Sequence, residues 1–324
     1  MKIIQGIEAV APPFPQSVLS IGNFDGVHRA HQQLLAQAGL FAANTGGPVV
    51  VLTFEPHPLV VVRPEKAPPR LSPAQEKLRY LAEAGADVVV VARSDHALLD
   101  LEAEAFIHEV IRERFNPTHI VEGPSFGFGK GRKGNPELLR DVAAGFGCEV
   151  HIVDPVTLQV TEGETLLVSS SLIRGLIIQG KVHRAALCLG RPYTLVGTVG
   201  EGVRRGRTIG FPTANLEVED QLIPADGVYA GRSIVRDTLH LSAISIGSAP
   251  TFGEGDRQVE AYLLDFDGDL YGEPLRLEFD RLLRPQRTYD SPEALIDQIR
   301  RDVQAVRRLL GTGVPDTPSA EAQA

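Results

Sequence analysis

The chain has 324 residues, 43% of them hydrophobic, with a formal net charge of -9, two cysteines and no tryptophan. That length supports two domains with separate cores. The acidic balance and the 6% aromatic content argue against a nucleic-acid track, which needs a basic surface and stacking platforms. No apolar run reaches membrane-spanning length, Met1-Lys2-Ile3-Ile4-Gln5-Gly6 has no signal-peptide pattern, and Cys148 and Cys188 make no disulfide framework or metal cluster. These features predict a cytoplasmic protein with small anionic ligands, no nucleic-acid or membrane partner, and a monomeric or weakly homo-oligomeric state.

In chain order, Val18–Ile21 reads as a buried strand, followed by a glycine-containing turn and a helix over Gln32–Ala38. Strand, glycine turn and helix together bring backbone donors and the positive end of a helix to one sheet edge, a place for a phosphate. His28 and His31 lie three residues apart on one helix face. Either can donate to a phosphate oxygen; spacing alone equally allows His28 to cap the turn and His31 to be a half-buried helix residue.

Val49–Phe54 reads as a second strand, stopped by the stiff Glu55-Pro56-His57-Pro58 loop. A helix follows from Ser72-Pro73, with Ser72 as its expected cap, then a strand at 86–92. A helical stripe at 101–114, a strand at 118–121, a helix at 136–144 and a strand at 149–153 complete an open, mostly parallel sheet with helices on both faces. The loop 122–134 carries five glycines with Lys130, Arg132 and Lys133, a composition that suits phosphate contact or a solvated surface loop. Ser169, Ser170 and Ser171 stand at a helix mouth, with Arg174 one turn inside.

After the helix at 181–189 the pattern changes to short strands with Asp-Gly turns, and the expected boundary lies near residue 186. The loop 202–212 is rich in glycine and arginine but lacks a P-loop terminus. Thr213 and Asn215 offer oxygens suited to Mg2+ beside ATP phosphates, and Glu260 interrupts an otherwise apolar strand. Ser291-Pro292 starts a C-terminal helix with Leu295, Ile299, Val303 and Val306 on one face, and the segment from 311 to 324 has the composition of a flexible tail.

Gly22-Asn23-Phe24-Asp25-Gly26-Val27-His28 with His31, and Gly206-Arg207 followed by Gly210-Phe211-Pro212-Thr213-Ala214-Asn215-Leu216, resemble the two signatures of the bacterial bifunctional riboflavin kinase/FMN adenylyltransferase family, also called FAD synthetase. Similar segments recur in family order from about residue 15 to 310. The resemblance implies an N-terminal open parallel sheet of the HxGH nucleotidylyltransferase type at 1–186 and a small antiparallel riboflavin kinase barrel with a C-terminal helix at 187–310. It implies two ATP-dependent reactions, riboflavin to FMN and FMN to FAD with release of pyrophosphate.

In the first reaction Glu260 would be the base and Thr213 and Asn215 would hold Mg2+, with Gly206, Arg207, Gly210, Phe211, Pro212 and Tyr271 around the ligands. In the second, Asn23, His28, His31 and Arg174 would orient the nucleotide and stabilise charge. Gly22, Phe24, Asp25, Pro56, His57, Ser125, Phe128, Arg132, Ser170 and Ser171 would line that site. Ala30, Ser125, Ser171, Ser245 and Ala249 depart from the usual family residues, and Arg257 or the arginines of the loop after Gly202 are the candidates to replace the cation expected at Ala249. Retention of only one activity, or flavin or nucleotide binding without turnover, are the competing readings.

Overall fold

The computed structural model describes the chain except residues 12, 162, 201–209, 249–256 and 312–324. Gly206, Arg207, Ala249 and the expected tail from 312 onward lie outside the described residues. The chain divides into two compact units, the first spanning Met1–Leu172 and the second starting at Ile173.

The first unit is built on β1 (Lys2–Gln5), β2 (Val18–Ile21), β3 (Val49–Glu55), β4 (Val88–Arg93), β5 (His119–Glu122) and β6 (Glu149–Ile152). They form one sheet in the order β1-β4-β3-β2-β5-β6, with every pairing parallel. β3 and β4 open on the apolar runs Val49–Leu52 and Val88–Ala92, and every residue of β2, Ser20 included, is buried, because both faces are covered. Alternation along those strands sends Leu19, Ile21, Val50, Leu52 and Val90 into one core, with Phe106, Ile107 and Ile111. Val18, Val49, Val51 and Val89 go into another, with Leu35 and Ala38 of α1 (Arg29–Thr45) and Leu81. One sheet thus separates two cores.

The expected helix at 101–114 takes a different form, an α-turn at Ala103–Ala105 that continues as a π-helix over Phe106–Phe115. The wider winding keeps Phe106, Ile107, Val110, Ile111 and Phe115 all buried. Ser72 also departs from expectation. The helix at Ala74–Glu83 has Pro73 at its cap and no side-chain capping bond, while Ser72 Oγ accepts from the Gly26 N–H at 3.3 Å. β1 and the hairpin of β7 (Thr157–Thr161) with β8 (Glu164–Leu167) have no counterpart in the sequence reading, although β7 alternates polar and apolar residues along its length.

In the second unit a closed antiparallel barrel runs in the order β10-β13-β12-β11-β14-β9. These are β9 (Tyr193–Gly200), β10 (Ala214–Val218), β11 (Gly227–Val235), β12 (Thr238–Ser248), β13 (Arg257–Leu263) and β14 (Pro274–Arg284). Closure removes free strand edges. Leu195, Tyr229, Ile244, Ala261, Leu277 and Phe279 are completely buried.

The C-terminal helix, Pro292–Leu310, begins as expected, with Ser291 Oγ accepting from the Ala294 N–H at 3.2 Å. Its packed face includes Val303 and Val306 but also a charge. Buried Asp302 pairs with Arg284 at 2.8 Å and accepts from Gln298 Nε2 at 2.9 Å. A buried carboxylate is tolerable only with such partners.

Candidate functional site

Strand order reverses beside β2: β3 and β4 lie on one side of it, β5 and β6 on the other. Crevices at the carboxyl ends of strands at such a point are where open α/β sheets hold ligands. The turn 22–28 leaves β2 there, the 56–57 segment leaves β3, and the loop 123–134 leaves β5.

The turn is forced into an uncommon shape. Phe24, Gly26 and Val27 have φ of 49°, 80° and 38°, left-handed values that cost a β-branched residue most. Packing and hydrogen bonds over-determine it. The Phe24 and Val27 side chains are buried in the core, the Leu71 N–H donates to both Asp25 oxygens at 3.0 Å, and the Ser72 N–H donates to one of them at 3.3 Å. Asp25 therefore spends its carboxylate on backbone amides.

His28 is the residue before α1, with extended backbone and no side-chain capping bond. The imidazoles of His28 and His31 stack at 3.7 Å between centroids and 14° between planes, with Phe24 at 5.0 Å from the His31 ring. The pair forms one rigid face beside the start of the helix. Helix N–H groups and imidazole N–H groups in this arrangement suit a phosphate.

Asn23 Nδ2 and His57 Nε2 lie 3.0 Å apart. His57 Nδ1 accepts from the Leu59 N–H at 3.1 Å, so a neutral ring carries its proton on Nε2. That proton requires the Asn23 amide oxygen to face the ring. Behind this pair, Glu55 takes Arg70 at 2.8 Å and Lys77 at 2.7 Å, and Lys77 also donates to the Phe54 carbonyl at 3.1 Å. These residues line a common cleft with Asn23, Asp25, His57 and Ser72. The Glu55–Arg70–Lys77 set escaped the sequence reading because its members are separated along the chain and carry no motif.

Beneath the turn, buried Glu122 accepts from the Ile21 N–H at 2.5 Å. Burial pushes its carboxyl well above the ordinary carboxylate range, against the smaller opposing effect of that hydrogen bond.

In the barrel, Asn215 pairs directly across from Glu260, and Ser245 pairs with Glu260 from the other side. Thr213 Oγ1 stands 3.3 Å from Glu260 Oε2. Thr213 and Asn215 are two residues apart, so an extended chain sends both side chains to one face with the carboxylate. Phe211 meets Tyr262 edge to face at 5.3 Å. The result is an oxygen-rich corner in which strand register sets Asn215 beside Glu260 and Thr213 reaches the same carboxylate from just before β10.

Comparison with known proteins accords with both constructions. Residues 12–170 match the family described as FAD synthetase, and residues 189–310 match the family described as riboflavin kinase. The bifunctional riboflavin kinase/FMN adenylyltransferase of Escherichia coli (strain K12) is 36% identical over 317 residues, covering 97% of this chain and 100% of that protein. The chain belongs to the bacterial bifunctional riboflavin kinase/FMN adenylyltransferase family. The protein of the same name from Listeria monocytogenes is 38% identical and covers 90% of this chain and 91% of its own length. A solved structure named as a macrolide-efflux protein from Streptococcus pneumoniae matches with a TM-score of 0.84 and 30% identity, covering 95% of this chain and 99% of that one. Among the described residues no helix is long and apolar enough to cross a membrane.

The remaining family positions fall in varied surroundings. Phe128 packs in the core against Phe106 and stacks on Phe126, and its backbone closes the loop through paired bonds with Gly134. Arg132 Nη2 donates to the Ser125 carbonyl at 3.1 Å, which ties the exposed loop to itself. Ser170 Oγ donates to the Asp25 carbonyl at 3.1 Å and so braces the first turn from the start of the helix Ser170–Ile178. Ser171 is exposed, and Arg174 lies one turn along the same helix. Tyr271 is exposed in a turn, its N–H bonded to Asp269 Oδ1 at 3.1 Å. Arg257 is engaged elsewhere. It pairs with Asp226 at 2.7 Å and donates to the Ile223 and Pro224 carbonyls, which fixes it at the barrel wall.

Proposed function

We infer that this chain makes FAD in two ATP-dependent steps. It is a bifunctional riboflavin kinase and FMN adenylyltransferase, and the observation that carries the reading is the Thr213, Asn215 and Glu260 corner on the same chain as the His28–His31 face. We assign the adenylyltransferase to residues 1–186 and the kinase to residues 187–310.

For the kinase, Glu260 takes the proton of the riboflavin 5'-hydroxyl as that oxygen attacks the terminal phosphorus of ATP and ADP departs. The donor set is hard oxygen, which fits Mg2+: Thr213 and Asn215 would hold it together with ATP oxygens. When bound, the ion neutralises charge on the transferring phosphates. Gly210, Phe211, Pro212 and Tyr271 belong to the ligand shell on this reading, with Gly206 and Arg207.

For the adenylyltransferase, an FMN phosphate oxygen attacks the α-phosphorus of ATP, the bond to the β-phosphate oxygen breaks, and pyrophosphate leaves. The nucleophile is already anionic, so this step needs no base. His28 and His31 donate to the oxygens that gain charge, Asn23 orients the nucleotide with His57, and Arg174 adds a cation. Gly22, Phe24, Asp25 and Ser170 hold the turn in shape, while Pro56, Ser125, Phe128, Arg132 and Ser171 complete the shell.

A chromatographic time course with riboflavin, ATP and Mg2+, then a second one started from FMN, tests both halves. FMN appearing first and FAD after it supports the reading. FMN that accumulates, with no FAD from supplied FMN, removes the adenylyltransferase. FAD from supplied FMN with riboflavin untouched removes the kinase.

A further inference from the structure

Away from both sites, the parallel strands β5 and β6 bring together three side chains that the two reactions do not use. His119 pairs in register with Glu149, and Val121 pairs with His151, so His119, Glu149 and His151 lie on one face of adjacent strands. Nδ1 of His119 and Nε2 of His151 are 3.1 Å apart. Glu149 Oε2 lies 3.9 Å from the first nitrogen and 3.8 Å from the second. We propose that these three residues form a binding site for a divalent transition-metal ion of the Zn2+ class.

A hydrogen bond between the two rings accounts for their own approach. It does not account for a carboxylate oxygen that converges on the same two nitrogens from beyond hydrogen-bond reach. A shared ion accounts for all three. Zn2+ bonds of about 2.0 to 2.2 Å in a tetrahedron place the donors roughly 3.3 to 3.5 Å apart. The observed triangle needs Glu149 to move inward by a few tenths of an ångström and the two ring nitrogens, now 3.1 Å apart, to separate by about 0.2 to 0.4 Å. The Glu149 side chain is 72% exposed, so its movement displaces no packed neighbour.

The rings themselves are held in place. Phe41 stacks on His151 at 3.9 Å and 19° and on His119 at 5.2 Å and 24°. Two imidazoles with one carboxylate select a borderline ion over Mg2+, which prefers oxygen alone. The exposed carboxylate side leaves a coordination position for water. An ion here ties the outer strand β6 to β5.

The test uses the full chain, stripped with a chelator and free of nucleotide, titrated with ZnCl2 by calorimetry and with Co2+ by its visible absorption. One equivalent should bind with a tetrahedral cobalt spectrum. Glu149→Gln, a surface change, should weaken binding by at least about tenfold, and His151→Gln should weaken it further. His31→Gln should leave the titration unchanged. Absence of binding by the wild-type chain, or binding equal in the wild type and Glu149→Gln, overturns the proposal. So does binding that His31→Gln removes and Glu149→Gln does not. If His151→Gln fails to fold, the Glu149→Gln result decides.

Discussion

In the first unit the candidate site is assembled from strand ends, with a turn whose left-handed residues are clamped by Asp25, Ser72 and the buried Phe24 and Val27 side chains. In the barrel, strand register sets Asn215 opposite Glu260, and Thr213, just before β10, meets the same carboxylate through its hydroxyl. On the roles proposed for these residues, the difference follows from the nucleophiles. A phosphate arrives ionised and needs only alignment and charge stabilisation, so imidazoles and backbone amides suffice. An alcohol must lose a proton during attack, so a carboxylate must stand at the reacting oxygen. Rigid positioning matters to the first region, and a single proton acceptor to the second.

The sharpest way to separate them is Glu260→Gln. Riboflavin phosphorylation should fall by about a hundred- to ten-thousand-fold, the usual range for loss of a general base. FAD formation from supplied FMN should persist at the wild-type rate. Loss of both activities would mean that Glu260 is structural, a possibility that circular dichroism and thermal unfolding of the variant would expose.

The reciprocal break is His28→Ala or His31→Ala. Each removes a donor from the stacked pair, and FAD formation from FMN should fall about a hundred- to a thousand-fold, as for other preorganised charge-stabilising donors. Phosphorylation of riboflavin should continue. Because the rings stack on each other, the double variant should lose less than the product of the two single losses.

The comparison also shows which features were open to reading from the chain. The parallel sheet was legible because β3 and β4 open on the apolar runs Val49–Leu52 and Val88–Ala92, whereas the barrel was implied by the family resemblance, with which the short strands and Asp-Gly turns agreed. Motifs marked Asn23, His28 and His31, Thr213 and Asn215, and Glu260. The supports were not legible. Glu55 meets Arg70 and Lys77 only after the sheet has formed, and Ser72 looks like a helix cap until the Gly26 N–H claims its hydroxyl. Asp302 sits in what reads as the apolar stripe of a helix, and only the fold supplies Arg284. Long-range pairing leaves no local spacing to recognise.

A smaller effect should come from the clamp itself. Asp25→Ala strands the Leu71 and Ser72 amides, and a buried amide without a partner costs about 1 to 3 kcal/mol. A lower denaturation midpoint for the first unit, with FAD formation reduced more than riboflavin phosphorylation, is the expected result. A change confined to catalysis, with the midpoint unmoved, would assign Asp25 to the ligand.

The least disruptive probe is Glu122→Gln, which keeps an acceptor for the Ile21 N–H and removes the ionisable group. Burial raises the Glu122 carboxyl in the folded chain, so the native state retains a proton that the unfolded state releases. Stability contributed by that proton is complete below the unfolded carboxylate range and declines as pH rises toward the raised native value. Wild-type unfolding free energy should therefore slope downward with pH across that window, and Glu122→Gln should flatten the slope while barely changing stability in acid. Identical pH profiles for wild type and Glu122→Gln would mean that Glu122 is ionised in the folded chain, and the turn at 22–28 would then rest on a buried negative charge rather than on a neutral acid.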